Sequence, residues 1–556
     1  MDGKLSLIRY IKNAITSSLE NAVKEGKVAL EEIPDVHVEI PKDSKNGDFS
    51  TNVAMQLAKI ARMNPRALAE IVISGLEVSE DTIEKVEMAG AGFINFYVSP
   101  KWYQNELADI LKYKDDYGKM TLETPKSINF EYVSANPTGP LHIGNARGGA
   151  VGDCIANIYK YCGWDVTKEF YINDAGNQIL KFGESIGSRY MQLFDSNYPF
   201  PEDGYQGSYI TDYATEYYEL HGDSLVNATK EERNKALSDY ALKIAVKKMK
   251  DDLLAYGIEY DVWYSETNLH ESGEINDVIG VMTNNGATYE ADDAVWFKAT
   301  DYGCEKDEVL IRKNGIPTYY AADIAYHYDK FAKRNFDMAV NVWGADHHGH
   351  VKRMKEAMKA VLNTKEERLE VILMQLVQLK LGEEFVRLSK RKGQIVTLTD
   401  LVDEVGVDAA RFMFNSLAPS THMEFDLDLA IRQSNENPVF YVQYAHARMC
   451  SIIRNIGEST EGADLSLLKE KQETELLDKL ASFSKEISDA AAEYDPSRMT
   501  KYATNLAGLF HSFYNSCRVK CEDVELMKAR LALVEGARYV LKNTLGIIGV
   551  SAPEQM

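Results

Sequence analysis

No stretch of this sequence stays apolar long enough to span a membrane. The opening MDGKLSLIRYIKNAI has neither a long apolar core nor a small-residue cleavage site, so it does not read as a secretory signal. Its Leu5, Ile8, Ile11 and Ile15 read as the buried face of an amphipathic helix. Cysteine is scarce: six residues, with Cys517 and Cys521 four apart and Cys154 and Cys162 eight apart, give no paired metal-ligand spacing. Buried reduced thiols in a cytoplasmic protein are expected instead. Basic charge is also in deficit. A net charge of −23 excludes indiscriminate binding to nucleic acid. It leaves room for one specific RNA, held by local basic patches on a surface that repels the wrong ones. No internal repeat or low-complexity segment is present.

What is there is enough for several cores. The chain has 556 residues, 45% of them apolar and 26% charged, which implies more than one folded unit. One stretch organises the rest, Ser127 to Tyr159. Ile128, Phe130 and Tyr132 alternate with Asn129, Glu131 and Val133, the period of a strand. Asn136, Pro137, Gly139 and Pro140 then break regular structure, and a helical period begins after His142-Ile143-Gly144-Asn145. A strand that feeds a helix N-terminus through a Gly-bearing loop suits a phosphate, because free backbone N–H groups point into the loop. Gly144, Gly148, Gly149 and Gly152 are poor helix formers and let a flat base or a sheet approach the backbone.

Residues 1–118 read as a small α/β unit: a helix, a strand at Val36–Ile40, a helix from Thr51 to Met63, and a strand from Met88 to Val98 with a Gly bulge. Residues 119–434 alternate strands and helices, which implies a mostly parallel sheet covered on both faces. From about 185 to 265 the character changes to Tyr-rich loops and a long helix near Glu231–Tyr256, an insertion. Lys243, Lys247 and Lys250 share one face of it and read as a solvated face. The α/β pattern resumes with a helix after Gly315–Ile324, strands at Met338–Trp343 and Glu370–Val377, and a helix Leu401–Leu417 capped by Thr399 or Asp400. Residues 435–556 show no strand. Asn437-Pro438 opens a helix, and three or four more follow as a bundle.

Two motifs carry chemistry. His142 sits between a Pro/Gly loop and Gly144, where its imidazole can donate to phosphate oxygens. Ser389-Lys390-Arg391-Lys392-Gly393 groups cations and a hydroxyl before a glycine, a clamp for a polyphosphate leaving group. His142-Ile143-Gly144-Asn145 resembles the HIGH motif of class I aminoacyl-tRNA synthetases, and Leu388-Ser389-Lys390-Arg391 resembles their KMSK loop. With SANPTGPLHIGNARG, YINDAGNQI, VWGADHHGH, RLSKRKG, DAARF, YVQYAHAR and LGIIGVSAPEQM, nearly the whole chain is similar to the arginyl-tRNA synthetases. Two positions depart from the motifs. Asn145 replaces the second histidine, and its amide can still donate; Arg387 replaces the first KMSK lysine and keeps the charge.

The resemblance implies a multidomain α/β plus α protein: a Rossmann-type parallel-sheet catalytic core with an insertion, the extra N-terminal domain and a helical anticodon-binding domain. It implies ATP-dependent ligation of L-arginine to tRNA(Arg) through an arginyl-adenylate. His142, Asn145, Ser389, Lys390 and Arg391 would be catalytic. Glu131, Tyr319 and Asp323 would face the guanidinium, a planar fork that needs oxygen acceptors. Ser134 and Asn136 would hold the α-amino group. Gly344, Asp346 and His347, with His142, Gly144, Asn145 and Lys390, would line ATP, accompanied by Mg²⁺ and no protein metal cage. Tyr441, Tyr444, Arg448 and Arg454 would meet unpaired tRNA bases, and the N-terminal unit the tRNA corner. A monomer, no membrane and no DNA are expected. Two other readings stand beside this one: a non-catalytic tRNA-binding relative, against which intact His142, Ser389 and Lys390 argue, and a metal phosphoesterase. For the latter, Asp346-His347-His348 resembles a DHH motif, but the Asp-rich ligand motifs such a site needs upstream are not found with convincing spacing, Asp292-Asp293 notwithstanding.

Overall fold

Phe130, Phe170, Val340 and Ile372 bury on one side of a sheet, and Tyr171, Ala339 and Val371 on the other. Burial on both faces is what makes these strands near-continuous in apolar character. The computed structural model describes residues 3–382, 384–386 and 396–556. Arg387, Leu388, Ser389, Lys390 and Arg391 lie outside the described residues. The sheet has five parallel strands in the spatial order Val262–Ser265, Asp165–Ile172, Ser127–Glu131, Met338–Gly344, Leu369–Met374. Chain order reverses between Ser127–Glu131 and Met338–Gly344. At such a reversal the carboxyl ends of the strands open a crevice.

Helix Ile143–Tyr161 covers one face of the sheet, and helices Glu274–Asn284, Tyr319–Tyr328 and His348–Leu362 contribute to the core on the other. A Cβ at Gly152 would lie 2.3 Å from Tyr132 Cγ, and one at Gly149 2.7 Å from Ile258 Cδ1. These two glycines let the first helix lie against the protein's own side chains.

In the N-terminal unit, Leu7, Ile11, Ile15 and Leu19 form the buried face of helix Gly3–Lys24, with Leu5 and Ile8 at its margins. Val36–Ile40 is not a full strand: only Glu39 bridges Ser50. The single strand expected over Met88–Val98 is half of a hairpin, Ile83–Ala89 with Phe93–Val98. Gly90 and Gly92, at φ +55° and +128°, reverse the chain between them. The expected helix from Thr51 is Val53–Ala61, ended by Arg62 in the left-handed region, and Ile60 faces outward.

The inserted helices Asn177–Gln192, Ser208–His221 and Lys230–Ala255 enclose a small core of their own around Phe182, Tyr190 and Leu237. The last of them also reaches the main core through Met249 and Leu253. On it, Lys247 pairs with Asp251 at 2.7 Å and Lys250 lies 4.8 Å over the Trp263 ring. A three-stranded antiparallel sheet, Thr288–Ala291, Ala294–Phe297 and Glu308–Ile311, has no counterpart in the sequence reading. The helix expected over 401–417 is two, Leu398–Val405 and Val407–Phe414, split at Gly406. Thr397 caps the first, and Asp400 is its capping-box partner.

The C-terminal bundle opens at Pro438, with Asn437 accepting from Val439 N–H at 3.2 Å. Helix Pro100–Tyr113 packs into the same core: a Cβ on Gly536 would come 2.5 Å from Leu107 Cδ1. Arg411, wholly buried, joins the parts. It pairs with Asp153 of helix Ile143–Tyr161 and donates to the carbonyls of Tyr256, Gly257 and Ile548. Burial opposes the charge on Asp153, but Arg411 and Lys168 hold its carboxyl below the ordinary range. Arg411→Leu would leave three carbonyls without this donor and Asp153 with Lys168 as its remaining cation, so a loss of about 3–5 kcal/mol is expected in urea unfolding. Lys247→Ala, removing an exposed pair, should stay within about 0.5 kcal/mol.

Candidate active site

The helix Ile143–Tyr161 begins at the sheet's reversal point with a reciprocal cap. Gly144 N–H donates to His142 Nδ1 at 3.1 Å, and His142 N–H donates to Asn145 Oδ1 at 3.0 Å. Both bonds fix chemistry. A backbone N–H only donates, so Nδ1 is the acceptor and the ring proton sits on Nε2. Likewise the Asn145 oxygen is taken, and its Nδ2 has no protein partner among the described residues. Partial burial lowers the His142 pKa, which favours the neutral ring with Nε2–H as a donor. Just upstream, Val133 and Ser134 hold φ of +70° and +40°. For a β-branched valine this is costly, and such strain concentrates at working sites.

Glu131 closes its strand already satisfied. Lys330 Nζ donates to Oε2 at 2.7 Å, Asn341 Nδ2 to the same oxygen at 3.0 Å, and Ser134 Oγ to Oε1 at 3.1 Å. Lys330 is 0% exposed, and its charge is shared with Glu169 at 3.9 Å, which Arg334 also pairs. Asn136 is half-buried in the loop that follows.

Tyr319 opens helix Tyr319–Tyr328, capped by Thr318, and its hydroxyl would be 2.9 Å from a Cβ on Gly176. Asp323, one turn on, is 41% exposed at its side chain, with Oδ2 3.1 Å from His350 Nε2. Arg353 donates to His350 Nδ1 at 3.3 Å, so His350 Nε2–H is the donor to Asp323. Behind them runs a buried chain. His327 Nδ1–H donates to the Asp323 carbonyl at 2.8 Å, and Asn341 Nδ2 donates to His327 Nε2 at 2.8 Å and to Glu131. The sequence-expected residues Glu131, Ser134, Tyr319 and Asp323 are thus brought together, with Glu131 behind the others as a neutralised support.

Sequence reasoning missed Glu266. It sits at the carboxyl end of strand Val262–Ser265, 3% exposed. His270 lies 3.4 Å from Oε1, and Oε2 has no partner. Burial raises its carboxyl pKa against the pull of His270, and nearby Asp323 and Asp174 raise it further. The signal was available: an acid one step past a parallel strand. It was lost because 262–265 was read as part of the insertion.

Gly344 ends its strand beside the movable Asp346 carboxylate, whose Oδ1 would lie 2.4 Å from a Cβ there. Asp346 and His347 stand exposed beyond it, 3.7 Å apart. Among the described residues no three His, Cys, Asp or Glu side chains are arranged to hold a metal ion. Chain following the undescribed 387–395 segment returns to this helix: Thr397 bridges His142, and Leu398 N–H donates to Leu141 at 2.8 Å.

At the far end of the molecule, Tyr444, Arg448 and Arg454 line an open cleft of about 480 Å³ with Tyr514 and Met556. Arg448 donates to the Tyr444 hydroxyl at 3.2 Å and lies 4.6 Å over Tyr514. Arg454 donates to the Glu554 carbonyl at 3.1 Å. Tyr441 turns instead toward His511, their rings 5.2 Å apart.

Residues 106–416 match the family described as tRNA synthetases class I (R), catalytic domain; 9–98 match the arginyl tRNA synthetase N terminal domain, and 442–556 the DALR anticodon binding domain. A full-length relative, the arginine–tRNA ligase of Caldanaerobacter subterraneus subsp. tengcongensis, is 54% identical over 552 residues, 98% of each chain. The chain belongs to the arginyl-tRNA synthetases. A second arginine–tRNA ligase, from Acetivibrio thermocellus, is 48% identical over 99% of this chain and 98% of its own. The Thermus thermophilus arginyl-tRNA synthetase superposes with a TM-score of 0.77 over 99% of this chain and 100% of its own. At 22% identity that likeness speaks for the fold alone. As a class I synthetase the protein is an enzyme that uses ATP. Among its described residues no helix is long and apolar enough to cross a membrane.

The buried chain gives a pH signature. Burial first, and the Lys330 charge next, push the His327 pKa down to about 4. In the unfolded chain it titrates near ~6.5. As pH falls between these values the unfolded state takes the proton first, so folding loses about 3 kcal/mol by the acid end of that window. His327→Gln should flatten this slope in melting temperatures taken from neutral to acid pH.

Proposed function

We infer that this enzyme joins arginine to tRNA in two steps, with ATP as the activating substrate. The arginine carboxylate attacks the α-phosphorus. A new P–O bond forms as the bond to the β-phosphate oxygen breaks, and pyrophosphate leaves with the electron pair. The 2′-hydroxyl of the tRNA's terminal adenosine then attacks the activated carbonyl, losing its proton, and AMP departs.

The chain's residues have separable tasks. The His142 Nε2–H and the Asn145 Nδ2–H suit the oxygens on the α/β side, where negative charge grows during in-line attack. Ser389, Lys390 and Arg391 take the β/γ side by resemblance. Mg²⁺ arrives on the ATP phosphates as part of that substrate. Gly344, Asp346 and His347 suit the adenosine. For the amino acid, Asp323, Tyr319 and the unpaired Glu266 Oε2 suit a guanidinium, while Asn136 and Ser134 suit the α-amino group. Glu131, held by Lys330, acts through Ser134. A lysine substrate has one compact ammonium and would leave an acceptor dry and unpaired, which discriminates against it. Tyr444, Arg448 and Arg454 suit splayed anticodon bases.

One observation carries this reading: the hydrogen-bonded chain Asp323–His327–Asn341–Glu131 joins the acidic cluster to the strand end from which the His142 helix departs. Charging of total tRNA with each amino acid in turn should succeed with arginine; charging with another amino acid and none with arginine would overturn the assignment. Glu266→Gln should raise the arginine KM by about 10- to 100-fold, the worth of a hydrogen bond to a charged group, with the ATP KM little changed. An unmoved arginine KM would remove Glu266 from the pocket.

A further inference from the structure

The helix that carries His142 also carries Arg147, which none of the steps above uses. It is wholly buried, and its guanidinium meets only backbone carbonyls. Nη1 donates to Gln375 at 2.7 Å; Nη2 donates to Thr421 at 2.9 Å and to Ala418 at 3.2 Å. Its Nε has no acceptor, and no carboxylate pairs with it among the described residues. A buried cation without a counter-ion is an expensive way to fill space. An apolar side chain of similar length would fill the space but leave the three carbonyls without these donors.

The three carbonyls share one location. Gln375 links the sheet's outer strand, Leu369–Met374, to strand Val377–Leu381. Ala418 and Thr421 lead into Met423–Asp426, which pairs in parallel with Val377–Leu381. Gln375 N–H also donates to the Pro419 carbonyl at 3.0 Å, so the two segments are pinned together beside the guanidinium. Val377–Leu381 then turns at Gly382, whose N–H is held by Asp428 at 2.8 Å, into Glu384–Val386. The basic segment follows Val386 in sequence. Where the described chain resumes, Thr397 bridges His142. Both flanks of the segment are therefore tied to the N-terminal turns of one helix.

We propose that Arg147 is a positioning residue: by spanning three carbonyls at the root of this small sheet, it sets strands Val377–Leu381 and Glu384–Val386, which lead in sequence to Ser389 and Lys390, at a fixed height relative to His142. The inference rests on the reading of Lys390 as a phosphate ligand. Lysine cannot substitute, because one point charge does not match a fork that reaches three carbonyls.

The test is a double-mutant cycle on the full chain. Pyrophosphate exchange is measured with arginine, ATP and tRNA for Arg147→Lys, Lys390→Ala and the pair, with melting temperatures alongside. Arg147→Lys should lower kcat by about 10²-fold, the cost of misplacing a catalytic group by an ångström, while the arginine KM stays within about twofold. In the Lys390→Ala background the same change should cost less than about threefold, because the group it aims is gone. Equal losses in both backgrounds, or an unchanged kcat, would overturn the proposal while leaving Lys390 in place. Full activity in Lys390→Ala would instead remove the phosphate reading and this inference with it. Arg147→Met gives a second measure: a kcat loss that merely follows its melting temperature also counts against positioning.

Discussion

Asp153 and Arg411 form a buried charge pair, and three separate parts of the chain meet at it. Asp153 belongs to the helix that starts at His142. Arg411 draws in the carbonyls of Tyr256 and Gly257, where the inserted helices return, and of Ile548, at the end of the last helix. Lys168, on the neighbouring strand, adds a second cation at 2.7 Å from Asp153. A lone buried charge would be ruinous, whereas a fully bonded one specifies a single arrangement of its neighbours. The helix that starts at His142 is thus located by ionic contacts and by the close approach at Gly149 and Gly152.

The buried groups around Glu131 use charge alternation in the same way. Arg334, Glu169, Lys330 and Glu131 run inward in order of opposite sign. The series ends on a carboxylate whose charge is already met. The acids left without such partners are Asp323, in part exposed, and Glu266, with one oxygen buried and unpaired. Neutral His327 and Asn341 join the two groups without adding charge, so the floor is rigid and its potential is set by the outer acids.

Much of this was legible in the residues. Strand Ser127–Glu131, the helix after His142, the Asn437-Pro438 start and the parallel architecture followed from periodicity and capping, which are local. Contacts between distant segments were not legible. The Gly90–Gly92 turn was read as a bulge because one long apolar run hides two antiparallel strands. The break at Gly406 was passed over because both halves keep the same helical period. Lys330 and Arg147 were invisible because each takes its meaning from partners far along the chain, Glu131 for one and the Gln375, Ala418 and Thr421 carbonyls for the other, and His327 because its role depends on its burial. The reading of Ser389, Lys390 and Arg391 as a phosphate clamp came from their clustered charge, and their separate tasks from motif resemblance.

The carbonyl that Ile548 presents to Arg411 has a bearing on how such a chain can change over generations. The last helix supplies an oxygen to a cation lodged behind the sheet, so the bundle is not a detachable accessory. Exchanging it for an unrelated module would unbalance the interior of its neighbour. Descent should therefore carry these parts as one inherited block, drifting at their outer faces while the seam between them stays fixed.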